Sequence, residues 1–169
     1  MRILVACEES QAVTIELRRL GHEAYSCDLQ DCSGGHPEWH IKGDVLRLIN
    51  GRCRFQTMDG EWHEIAGTWD MIIAHPPCTF LSNAGACRLY PKKGQLDLDR
   101  YAKGLEAKAF MMAFLNADCP RIAVENPLPS SVFELPPPYA MDSPVAVSAR
   151  RRGNCTPVHE THRAMARWS

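Results

Sequence analysis

Apolar residues along the first three-quarters of the chain fall into short continuous runs, separated by segments with helical spacing. Ile3-Leu4-Val5-Ala6 and Met71-Ile72-Ile73-Ala74 have the length and continuity of strands covered on both faces. Ala24-Tyr25-Ser26 reads as another strand, ending at Cys27-Asp28, and Arg121 to Val124 as one that ends at Glu125-Asn126-Pro127. Between the first two, Val13, Leu17 and Leu20 recur at helical spacing until Gly21 stops the helix. Asp97 to Asn116 predicts a longer helix, with Tyr101, Leu105, Met112 and Leu115 among its apolar positions and Met111 and Met112 beside Phe110 and Phe114 as core filler. The loop "DCSGGHPEWH" leads to Ile41 and then to Gly43-Asp44. The stretch "RCRFQTMDGEWHEI" predicts a β-hairpin insertion at about 52–66, with Asp59-Gly60 at its turn.

Strands separated by helices predict an α/β fold: a mostly parallel sheet with helices on both faces. Ligands of such sheets bind outside the carboxyl ends of the strands. The residues that follow the strands here are Cys7-Glu8-Glu9, Asp28, Asp44, His75-Pro76-Pro77-Cys78 and Glu125-Asn126. Acids, a thiol and an amide therefore collect along one edge. After Pro127 the pattern fails, because residues 127–144 hold six prolines and residues 145–169 show no sustained period. The expected division is a domain over 1–139 and an irregular basic tail over 140–169.

With 169 residues and 45% hydrophobic content, the chain has apolar material for one domain with a real core. A net charge of -1 gives no overall electrostatic footprint for nucleic acid and leaves only local basic patches, such as the arginines of the tail. The absence of a secretory pattern and of any membrane-length apolar run predicts a cytoplasmic protein whose eight cysteines are reduced. Cys27, Cys32, His36 and His40 could be assembled into a tetrahedral site on paper, but no C-x-x-C pair occurs. No metal is expected, and most of the cysteines read as small buried hydrophobes.

Cys78 differs in its context. Pro76-Pro77 ends the strand and removes backbone freedom just before the thiol. A thiolate nucleophile needs such a rigid mount, together with a partner that handles a proton at the atom under attack. Glu125, at the end of another strand, offers that partner. His75 is either a plain strand-end residue or a group that tunes the thiolate.

"AHPPCTFLSNAG" resembles the proline–proline–cysteine motif of the cytosine-5 DNA methyltransferases, which usually has glycine in place of His75, and "VENP" resembles their glutamate–asparagine motif. The resemblance runs from residue 1 to about 127 and is nearest to small methyltransferase-like proteins of phages and prophages. It implies a Rossmann-like fold that binds S-adenosylmethionine, with Cys78 adding to C6 of cytosine, Glu125 assisting at N3 and Asn126 orienting the cysteine loop. It also places Cys7, Glu8, His75 and Pro76 beside the cofactor, with Asp28-Leu29 at the ribose and Asp44-Val45 at the adenine. Read without the resemblance, Asp28 and Asp44 are equally good helix caps or turn residues. Three departures stand out: "ACEESQAV" lacks the glycine-rich form, no Gln-x-Arg-x-Arg motif is evident, and no target-recognition domain follows. The implied substrate is DNA or a smaller cytosine nucleotide. A truncated enzyme, a binding module without turnover and a subunit that takes its target recognition from a protein partner are the competing expectations.

Overall fold

A computed structural model of the chain describes residues 1–86, 88–92, 94–126, 130–135 and the backbone of 145–148. Its main sheet is built from β1 (Arg2–Ala6), β2 (Glu23–Asp28), β3 (His40–Lys42), β6 (Met71–Ala74), β7 (Ile122–Glu125) and β8 (Val145–Ser148). The order across the sheet is β3-β2-β1-β6-β7-β8, and every neighbouring pair is parallel. The chain thus runs leftward from β1 to β3 and then crosses to the other side of β1, which makes the β1/β6 boundary the topological switch point. The remaining strands, β4 (Cys53–Gln56) and β5 (Trp62–Ile65), form the antiparallel hairpin expected from the sequence. Its turn closes through Gly60, at φ 96°, whose N–H donates to Thr57 O.

The central strands alternate between two apolar layers. Ile3, Val5 and Ala24 pack with Val13 and Leu17 of α1 (Ala12–Arg19) and with Met71 and Ile73. Leu4, Ala6, Tyr25, Ile72, Ala74 and Val124 belong to the opposite, larger cluster, with Met111 and Phe114 of α3 (Leu98–Leu115). Asp97 caps α3 by accepting from Arg100 N–H at 2.9 Å, so the helix starts where the sequence predicts. Leu105 lies on its outer side, exposed, while Gly104, Met111 and Phe114 are buried. On this face the hairpin shares the covering role with α3. Phe55 meets Tyr25 of β2 edge-on with centroids 5.2 Å apart and stacks on Trp69 at 6.1 Å. Trp69 is fully buried, and its indole N–H donates to Leu48 O at 2.7 Å.

The expectation of an irregular chain from residue 140 is corrected at one place: Val145–Ser148 is a strand in register with Ile122–Glu125. Four residues suffice for an edge strand, but they are too few to show a period, and the pairing is long-range. The rest of 140–169, including Arg150-Arg151-Arg152, lies outside the described residues. Before it, Ser130 N–H donates to Leu81 O, and Phe133 stacks on Tyr101 of α3 with centroids 5.7 Å apart. A Cβ at Gly104 would stand 2.1 Å from the Phe133 ring, whose side chain is buried. Gly104→Ala is therefore expected to destabilise, since overpacking by about 1–3 kcal/mol outweighs the gain of about 1 kcal/mol in helix propensity. A urea midpoint that rises in this variant would show that residues 130–135 do not dock on α3.

Among the described residues, no helix is long and apolar enough to cross a membrane.

Candidate active site at the carboxyl edge of the sheet

Because all six strands run parallel, the residues after β1, β2, β3, β6 and β7 share one edge. They appear there in the spatial order Asp44, Asp28, Cys7-Glu8, His75 to Cys78, Glu125-Asn126.

The left half of the edge is acidic. Asp28 is half-buried and accepts from Gln30 N–H at 3.0 Å through Oδ1, while its carbonyl accepts from Gly43 N–H. Asp44 is exposed and caps the turn Val45–Arg47, with Oδ1 accepting from Leu46 N–H at 3.0 Å. Both carboxylates act on the thiols beside them. Burial pushes the Cys7 thiol up to about 12, and the Asp28 charge adds to that rise. Burial, then Cys7, Asp28 and Asp44, raise Cys27. Asp28 and Asp44 thus lie on one side of the domain, next to the loop after β1. Leu29 projects into solvent, 73% exposed, whereas the Val45 side chain is core.

The loop after β1 departs most from expectation. Cys7 takes a left-handed φ of 58°, and its N–H donates to Cys27 O at 2.8 Å. Glu8, expected at the cofactor, is buried, and its carboxylate is spent on α1. Oε1 accepts from Val13 N–H at 2.6 Å, and Oε2 accepts from the Thr14 hydroxyl at 2.7 Å and from Thr14 N–H at 3.3 Å. The cause is local. α1 has no side-chain cap at Gln11 and no acid in its first turn, so Glu8 supplies the anion that the helix N-terminus favours.

Gln11 and its hold on the loop that follows β2 were missed by sequence reasoning. Gln11 is fully buried at φ 57°, donates to His36 O at 2.8 Å and accepts from His36 N–H at 3.0 Å. This clamp folds the glycine-containing loop onto the start of α1, so closely that a Cβ at Gly34 would lie 2.6 Å from Ser10 O. His40 is buried and fully bonded: Nε2–H donates to Gln30 O at 3.0 Å, leaving Nδ1 to accept from the Ser26 hydroxyl at 2.8 Å. Its nitrogens are therefore taken. Among the described residues, no three metal-ligating side chains gather.

The right half carries the thiol. His75 N–H donates to Ala6 O at 3.0 Å, which ties the strand end to β1. Pro76 is buried behind it. Cys78, half-buried, opens a tight turn in which its carbonyl accepts from Leu81 and Ser82 N–H. Leu81 and Ser82 are buried, and α2 (Asn83–Ala86) follows. A Cβ at Gly85 would meet Thr79 O at 2.0 Å, so this turn closes only around glycine. Arg100, at the start of α3, donates to Gly85 O at 3.0 Å and clasps the turn from outside. Next to it, Asn126 is buried and Glu125 half-buried. The carboxylate of Glu125 lies 2.7 Å, through Oε2, from His75 Nδ1. The pairing of β6 with β7 explains that contact: Ala74 is opposite Val124, so the next pair along is His75 with Glu125.

Burial also raises the thiols of Cys53 and Cys119. Together with Cys7 and Cys27, four of the free cysteines are held as protonated thiols, poor nucleophiles at neutral pH.

Comparison with protein-family models, with curated proteins and with solved structures finds no match for this chain.

Proposed function

We propose that this chain is an S-adenosylmethionine-dependent cytosine-5 methyltransferase, acting on DNA or on a smaller cytosine nucleotide. The observation that carries the reading is the placement, in the segments that follow the neighbouring strands β6 and β7, of a proline-mounted thiol at Cys78 and a half-buried carboxyl at Glu125. A cytosine ring is activated at two atoms at once. Cys78, as thiolate, forms a bond to C6, and the electron pair displaced toward N3 is neutralised by a proton held by Glu125. That leaves C5 as an enamine-like carbon nucleophile. The cofactor supplies the methyl group that C5 takes. Loss of the C5 proton to water then re-forms the 5,6 double bond and expels the thiolate from C6, and the N3 proton returns to Glu125.

The residues present suit the adenosine half of that cofactor. Asp28 and Asp44 each bond a local N–H through Oδ1, which leaves Oδ2 for ribose hydroxyls and for the adenine amino group respectively. Leu29, next to Asp28 in the chain, adds exposed apolar surface. The methionine half meets a different environment, because Glu8 already fills the N-terminus of α1. Asp44→Ala is expected to weaken S-adenosylmethionine binding by about 1–3 kcal/mol, the worth of one charge-assisted hydrogen bond. Unchanged affinity in calorimetric titration would remove Asp44 from the cofactor site.

The decisive experiment offers methyl-labelled S-adenosylmethionine with duplex DNA, single strands or cytosine nucleotides in separate reactions. Label in one class identifies the substrate. Duplex DNA carries the extra cost of flipping the base, on the order of a few kcal/mol, so single strands or nucleotides are expected to label best. The occupied N-terminus of α1 favours a second reading, a methyltransferase-derived binding module without turnover. Cofactor binding with no labelling of any cytosine substrate would establish it.

A further inference from the structure

The function proposed above needs Glu125 to present one particular oxygen to the ring, and a carboxyl on a strand end is free to turn. We propose that His75 is the positioning residue that fixes it, an inference that rests on the cytosine-methyltransferase reading. His75 Nδ1 and Glu125 Oε2 are 2.7 Å apart, with Nδ1–H donating to Oε2. With Oε2 held in this way, Oε1 is the oxygen left for N3 of cytosine.

The histidine is itself held. Its N–H is bonded to Ala6 O on the neighbouring strand β1, and Pro76 restricts the backbone immediately after it. The side chains of His75 and Glu125 are 28% and 32% exposed, so the pair sits at the lip of the edge, within reach of a ligand.

The second ring nitrogen carries the inference further. His75 Nε2 is buried with no hydrogen-bond partner, alone in this respect among the buried side-chain nitrogens and oxygens of the described residues. Burying an unpaired nitrogen costs stability. Glycine, the residue that the family motif usually has here, would bear no such cost and would leave Glu125 without its partner. The ring is thus poorly explained as a packing element and well explained by the bond that it makes to Glu125.

The test is the rate at which a 5-fluorocytosine substrate is trapped on Cys78, read at saturating substrate beside S-adenosylmethionine affinity. His75→Ala is expected to slow trapping about tenfold or more, with the half-saturating substrate concentration and the cofactor affinity changed by less than about twofold. His75→Asn places an amide N–H near the position of Nδ1 and is expected to recover most of the rate. His75→Gln places it near Nε2 and is expected not to. If His75→Ala fails to fold, the contrast between Asn and Gln carries the test. Trapping at the wild-type rate in His75→Ala, or equal rates in the Asn and Gln variants, would overturn the positioning role and leave the methyltransferase reading standing. Absence of any adduct in the wild-type protein would overturn both.

Discussion

Replacing Cys78 by serine is expected to abolish covalent trapping of a 5-fluorocytosine substrate while leaving S-adenosylmethionine affinity nearly intact. A serine hydroxyl at this position has the same mount but is a far weaker nucleophile near neutral pH. Fluorine at C5 blocks the elimination that frees the enzyme, so a single round of attack leaves a bond that mass spectrometry reads directly. Cys78 lies to the right of the switch point, after β6, whereas the acids proposed to hold the cofactor follow β2 and β3. On the proposed reading, loss of the thiol is therefore expected to act on chemistry and to spare binding. No other described cysteine is expected to substitute, since burial raises the thiols of Cys7, Cys27, Cys53 and Cys119 and Cys32 lies in the loop after β2 without the proline mount. Glu125→Gln keeps the shape and the contact with His75 but cannot carry the carboxyl proton, and a loss of about 10²-fold or more in rate is expected. An adduct that survives Cys78→Ser, or one mapped to a different cysteine, would refute the assignment.

The parts of this fold that were legible in the sequence are those whose cause is local. A strand buried on both faces must be a short apolar run, and β1, β6 and β7 are such runs. α3 announces itself through Asp97 and eighteen residues without a breaker at its ends. The parallel order then sends Asp28, Asp44, His75 and Glu125 to one edge without further assumptions. What stayed hidden depends on contacts between distant residues. Nothing in "RCRFQTMDGEWHEI" says that the hairpin covers β2, because Phe55 and Trp69 meet Tyr25 only after folding. Gln11 looks like a surface polar residue until its left-handed backbone turns it inward onto His36. The His75–Glu125 contact needs the register of β6 against β7, fifty residues apart in the chain. Glu8 misleads in a different way. A carboxylate at a cofactor loop and a carboxylate capping the next helix are the same sequence feature, and only geometry separates them.

That separation is measurable. Glu8→Ala is expected to cost about 3 kcal/mol or more, because it removes a buried acceptor shared by the Val13 and Thr14 N–H groups and the Thr14 hydroxyl. Those donors sit at the first turn of α1, where no other cap is present, so the loss leaves helix N–H groups unpaired beneath the loop. In a domain of this size the thermal midpoint should fall by about 6–12 °C. Glu8→Gln keeps one acceptor oxygen and loses the charge that favours the helix N-terminus, so an intermediate midpoint is expected. The same pair of variants distinguishes structure from cofactor binding. A cap lowers stability even without ligand, and the order Glu, Gln, Ala should hold in the free protein. A residue that only touched the cofactor would leave the free protein's midpoint unchanged and shift only the increment that S-adenosylmethionine adds. An unchanged midpoint for Glu8→Ala would therefore return Glu8 to the cofactor and free the N-terminus of α1 to receive an anion.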